Sequence, residues 1–78
     1  MTQRDAHNRI PLSPGKQLLA AARGGFISNG TSLARWCAEV GLRRQHVTDA
    51  LAGRRNGPRA EEMRGLVIAF LQKHGVDI

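Results

Sequence analysis

Seventy-eight residues, 41% of them hydrophobic, allow one small domain with a modest core. The single cysteine excludes an internal disulfide, no cysteine–histidine spacing fits a zinc site, and the longest apolar run, Leu66 to Leu71, is too short to cross a bilayer. A formal net charge of +6 points to an anionic partner, although charge alone suits an anionic membrane as well as a nucleic acid.

The placement of the charge narrows this. Arg35, Arg43, Arg44, Arg54 and Arg55 face only Glu39 and Asp49 between residues 31 and 57, and Arg4, Arg9, Lys16 and Arg23 face only Asp5 before residue 31. From Pro58 onward bases and acids balance. A basic face presented to a polyanion, with a neutral end kept for packing, is the expected arrangement. The start of the chain lacks the apolar core of a secretion signal, so a cytoplasmic protein with a reduced thiol, in a prokaryote or its phage, is expected.

Residues 1–12 are polar, basic and aperiodic, and read as a mobile arm ahead of one domain over residues 13–78. Ser13 and Pro14 supply a cap and a first helical residue. Leu18, Leu19 and Ala22 then face a core, and Gly24-Gly25 is expected to end the first helix. Phe26 and Ile27 are expected in a loop, tucked under the domain. Asn29-Gly30 marks a turn, and Thr31, with Ser32 next best, caps a second helix running to about Glu39. A third helix is predicted from near Arg43 to Ala52 or Gly53, followed by the loop "GRRNGP". The last helix opens at Gly57-Pro58, with Glu61 and Glu62 near its positive end. Ala60, Met63, Leu66, Val67, Phe70 and Leu71 recur at helical spacing, and Lys73, His74 and Gly75 close the helix. Nothing alternates with period two for long, so the fold class is all-α: a compact bundle of four to five helices.

Gly41 stands between two short helical segments, where glycine costs about 1 kcal/mol relative to alanine if the helix continues. At a bend it frees the backbone to take positive φ, and Trp36, Val40, Leu42, Val47, Ala50 and Leu51 on the inner sides would lock two crossing helices to a core. These are the requirements of a helix-turn-helix. "LARWCAEVGLRRQHVTDALA", Leu33 to Ala52, resembles the helix-turn-helix of λ-repressor- and Cro-like regulators, with Cys37 where that pattern usually has alanine and Gly41 at its turn glycine. "ALAGRRNGP" resembles the close of the recognition helix in Xre-type domains, and "TSLARWCAEVGL" is similar to small phage regulators of the Ner type. The chain departs from the family at its end, where one long helix replaces two short ones. The resemblance implies a DNA-binding transcriptional regulator encoded by a phage or mobile element.

With Leu42, Val47, Ala50 and Leu51 inward, the third helix presents Arg43, Arg44, Gln45, Thr48, Asp49 and Ala52. Arg44 can grip guanine O6 and N7, and Gln45 can pair with adenine in the same two-bond manner. Thr48 can touch a thymine methyl or a phosphate. Asp49 either accepts from cytosine N4 or, four residues from Gln45, orients that side chain. Base contacts are thus assigned to Arg43, Arg44, Gln45, Thr48 and Asp49. Phosphate contacts are assigned to Thr31, Ser32, Arg35, His46, Arg54 and Arg55. An ordinary cap at Thr31 and a solvated charged face on the third helix are the plainer readings.

Trp36 reads as core. Cys37 near His46 lacks the orienting group and oxyanion donors of a nucleophile pair, and a small buried thiol accounts for it better. The chain offers no paired carboxylates and no phosphate-cradling loop, so neither an enzyme nor a cofactor, metal or small-molecule substrate is expected. The expected partner is double-stranded DNA, bound by a homodimeric repressor on a palindromic operator in the cytoplasm of a bacterial host, associated with its nucleoid. A protein-binding adaptor or antitoxin docking an acidic partner is the alternative. A single-strand RNA binder is disfavoured by three aromatic rings in all. Ile68, Leu71, Val76 and Ile78 are assigned to dimerisation, with packing on Phe26 and Ile27 as the other use of that apolar surface.

Overall fold

Helical periodicity in the chain becomes four helices in a computed structural model that describes residues 13–75: α1 Lys16–Ser28, α2 Leu33–Val40, α3 Arg44–Ala52 and α4 Pro58–Lys73. No strand occurs among the described residues, and the fold is an all-helical bundle. The arm over residues 1–12 and the assignments to Val76 and Ile78 lie outside the described residues. No described helix is long and apolar enough to cross a membrane.

α1 packs on all three other helices because Leu18, Ala22 and Phe26, four residues apart, form a fully buried stripe. That stripe overrides the glycine pair expected to stop the helix. Gly24 and Gly25 cost about 1 kcal/mol each relative to alanine. Burying Phe26 recovers about 1.5–3 kcal/mol, to which ring contacts add. Its ring lies 5.3 Å from that of Trp36 and 5.0 Å from that of Phe70. α1 therefore runs through both glycines to Ser28, and Phe26 enters the core from a helix rather than a loop. Ile27, on the opposite side, is 68% exposed. Ser28 Oγ and Asn29 Nδ2 donate to the carbonyls of Gly24 and Gly25, closing the helix end.

The start of α1 also differs from expectation. Ser13 and Pro14 precede the helix, and Gly15 is its cap. The Gly15 N–H donates to the carbonyl of Leu51 at 2.8 Å, so this segment crosses to the end of α3 before the helix begins. At α2 the cap is Ser32 rather than Thr31: Ser32 Oγ accepts from the Arg35 N–H at 3.1 Å. The Thr31 N–H is occupied by the carbonyl of Phe26, and its Oγ1 is buried with no partner.

Gly41 behaves as its position predicts. It ends α2 in the left-handed region at φ 77°, and the Leu42 N–H closes the turn on the carbonyl of Cys37 at 2.8 Å. Leu42 and Arg43 then lead into α3, whose Val47, Ala50 and Leu51 are completely buried. Trp36 and Cys37 enter the same core from α2, while Leu42 is half-buried against it. Val40 is the exception on the inner side: it is 47% exposed.

α4 begins with Pro58 at its first turn and Glu61 beside its positive end. Ala60, Met63, Val67 and Leu71 are its buried positions, a stripe narrower than the sequence spacing implies. Leu66 points outward at 48% exposure, and Phe70 is half-buried beneath the His74 ring at 4.2 Å. Leu71 has no exposed surface, so its assignment to a dimer contact is corrected: four-residue spacing from Val67 commits it to the core of its own chain. Ile68 is half-buried against that core.

These placements set the effects of two glycine substitutions. A Cβ at Gly41 meets nothing within 4 Å, so Gly41→Val is penalised by backbone conformation alone. It should lower unfolding free energy by about 1–3 kcal/mol in urea titrations. Gly24→Ala, in helix and in open space, should raise it by roughly 0.5–1 kcal/mol.

Candidate nucleic-acid interface

α3 is nine residues long, too short to persist in isolation, so its placement depends on what holds it. Its C-terminal carbonyls are taken from several directions. The carbonyl of Asp49 accepts from the N–H groups of Arg54 and Arg55 at 2.9 and 3.3 Å, through a turn made by Gly53 at φ 86°. The carbonyl of Ala50 accepts from Arg64 Nη1 at 2.9 Å, and that of Leu51 from the Gly15 N–H. Arg64 Nη1 also reaches the Arg55 carbonyl at 3.1 Å and Asn56 Oδ1 at 3.4 Å, binding the loop to α4. Sequence reading missed Arg64. Its partners lie up to fourteen residues away and leave no periodic mark.

With the inner side so fixed, Arg43, Arg44 and Gln45 are exposed, and His46, Thr48, Asp49 and Ala52 are half-buried along the flanks. Two groups of the assigned residues come together, while Arg43, His46 and Thr48 belong to neither. Gln45, Asp49, Arg54 and Arg55 form one cluster: Gln45 Nε2 donates to Asp49 Oδ1 at 3.1 Å, while Arg54 Nη1 and Arg55 Nε lie 3.4 and 3.7 Å from the same carboxylate. The hydrogen bond between Gln45 and Asp49 is the contact that one of the two uses foreseen for Asp49, orientation of Gln45, requires. The Asp49 side chain is only 16% exposed, whereas those of Arg54 and Arg55 are 69% and 53% exposed.

The second group surrounds a groove of about 290 Å³ between α1 and the starts of α2 and α3. Arg44 lines it together with Ser32, Leu33, Ala34, Ile27 and Arg23. Arg23 and Ile27 reach it from α1, and Ile27 does so because the helix runs on through the glycine pair to Ser28. Arg35 is exposed on α2, one turn past the Ser32 cap, and Thr31 sits just before that cap. Ile68 and Leu71 lie on α4, with no part in either group.

The Cys37 thiol completes the chemistry. Burial pushes the Cys37 thiol above its usual range, and the Arg44 guanidinium pulls more weakly the other way. The thiol is 1% exposed and stays protonated, which suits packing. Among the described residues, no group of three histidine, cysteine or carboxylate side chains is arranged to hold a metal ion. Set against known protein families, curated proteins and solved structures, the chain matches none.

Arg64→Ala would leave the part-buried Ala50 carbonyl without its charged donor and should cost about 1.5–3 kcal/mol of stability by thermal or chemical unfolding. Cys37 should resist iodoacetamide at pH 8 in the folded chain and react once urea unfolds it. The raised thiol also implies that stability declines as pH climbs through the unfolded thiol's ordinary value of 9.0, because the unfolded chain releases that proton first.

Proposed function

We propose that this chain is a sequence-specific, double-stranded-DNA-binding transcriptional regulator of the λ-repressor- and Cro-like kind, acting as a homodimeric repressor. One observation carries the reading. A left-handed glycine joins two short helices, the first packed through Trp36 and Cys37 and the second through Val47, Ala50 and Leu51. The second helix meanwhile turns Arg44 and Gln45 to solvent, with Thr48 half-buried beside them. A helix so mounted fits the DNA major groove.

In this reading Arg43, Gln45 and Thr48 approach base edges from the exposed face of α3. Arg44 enters from the groove side, where it reaches either a base edge or the adjoining phosphate. Arg35, Arg54, Arg55 and His46 flank the helix where the two phosphate backbones run, and Ser32 opens α2 toward one of them. The net charge of +6 supplies the non-specific attraction that any duplex shares.

A single nine-residue reading helix recognises too short a word for a genome, so two copies related by a dyad are part of the proposal. Leu71 is unavailable for that contact. Leu66, outward on α4 and 48% exposed, takes its place beside the half-buried Ile68. Leu66→Glu should give a folded monomer by sedimentation, whereas Leu71→Glu should unfold the chain.

Competition among duplex DNA, single-stranded DNA and RNA, followed by selection from a randomised duplex library, tests the function directly. Preference for one duplex sequence is expected, and equal binding to all three polymers would overturn the reading. Arg44→Ala should lose about 1–3 kcal/mol on the selected duplex. Arg35→Ala should weaken all duplexes alike and reduce the salt slope by about one.

A further inference from the structure

We infer that Asp49 is the positioning residue for base recognition: it fixes the amide of Gln45 in the one orientation that reads adenine. The inference rests on the DNA-binding reading above and adds to it a named base and the residue that selects it.

An ionised carboxylate only accepts hydrogen bonds, so a glutamine amide that bonds to it must turn its NH₂ inward. Gln45 Nε2 does so, at 3.1 Å from Asp49 Oδ1. One N–H of that nitrogen is consumed. The second N–H and the carbonyl Oε1 remain for a ligand, with their places along the amide edge decided. A donor beside an acceptor is the complement of adenine in the major groove, where N7 accepts and N6 donates. An amide without the carboxylate could present its edge in either sense, and the reversed sense offers adenine like against like.

The surroundings hold Asp49 to this task. It lies four residues after Gln45, on the same side of α3, and its side chain is 16% exposed. Arg54 Nη1 approaches the same Oδ1 at 3.4 Å, and Arg55 Nε approaches Oδ2 at 3.7 Å. Both oxygens therefore face donors. The arginines are delivered by the left-handed Gly53 turn, in which their own N–H groups bond to the Asp49 carbonyl. One residue thus holds the turn with its backbone and the reading amide with its side chain.

Two roles predict different outcomes when the charge is removed. As a hydrogen-bond acceptor for Gln45, Asp49 is replaceable by asparagine, whose Oδ1 is kept toward Gln45 by the same Arg54 guanidinium. As a counter-ion for Arg54 and Arg55, it is not. The test uses the full chain and duplexes from a randomised library, with Gln45→Ala first identifying the base pair that Gln45 reads. At that position the wild type should prefer adenine by roughly tenfold over the other bases. Asp49→Ala should reduce that preference to near unity, and Asp49→Asn should retain it, while both bind non-specific duplexes more tightly because a negative charge is gone. Circular dichroism checks folding, and Asp49→Ser, too short to reach the amide, serves if Asp49→Ala does not fold.

Loss of preference in Asp49→Asn equal to that in Asp49→Ala would overturn the acceptor role in favour of the counter-ion role. Retention in both would show that Gln45 is oriented without Asp49, and a preferred base other than adenine would overturn the assignment of the base. Each of these leaves the DNA-binding reading standing. A wild-type chain that selects no duplex would remove both.

Discussion

The carbonyl end of α3 is the point on which the arrangement depends. A helix leaves its last four carbonyls without internal partners, and in a nine-residue helix that is nearly half its length. Here the carbonyls of Asp49, Ala50 and Leu51 are taken respectively by the Gly53 turn, by Arg64 from α4 and by Gly15 from the segment before α1. Those bonds gather three separated stretches of chain around one helix end. The burial of Val47, Ala50 and Leu51 fixes the inner side of the same helix, and its outer side is left to solvent.

The arginines divide according to this geometry. Arg64 is structural: its Nη1 is spent on two backbone carbonyls and the side-chain oxygen of Asn56. Arg54 and Arg55 are mostly exposed and share a carboxylate, so each keeps donors free. Arg44 and Arg23 line a groove with apolar walls and no acidic residue. The same residue type therefore serves as scaffold, shared pair and open cation, and the number of protein acceptors nearby decides which.

Much of this was legible from local pattern. The bounds of α2, α3 and α4, the left-handed bend at Gly41, and the burial of Trp36, Cys37, Val47, Ala50 and Leu51 follow from spacing and from glycine's conformational freedom, both of which act within a few residues. The errors share a cause. Gly24-Gly25 and Ser13-Pro14 carry terminal signals, but a distant gain outweighs each: the Phe26 contacts with Trp36 and Phe70, and the Gly15 bond to Leu51. Val40 and Leu66 sit at apolar spacings on helices whose buried stripes proved narrower than the spacing allows. Arg64 and the pairing of Asp49 with Arg54 and Arg55 depend on how a loop folds back, which periodicity does not encode.

If DNA binds to the outer face of α3, as proposed above, a carboxylate there needs a reason, since it subtracts from the attraction that the surrounding arginines supply. Stability is a weak one. Ion pairs with exposed arginines contribute at most about 1 kcal/mol, and those at 3.4 and 3.7 Å belong to that class. Affinity is a worse one, because every duplex feels the repulsion. Discrimination is left. A regulator is limited by the ratio of specific to non-specific binding, since competing sites vastly outnumber the operator. A negative charge lowers both terms alike, and an amide held in one orientation raises only the first. In the proposed reading, Asp49 would weaken the binding of all DNA by one charge and restrict what Gln45 accepts to one base, raising that ratio.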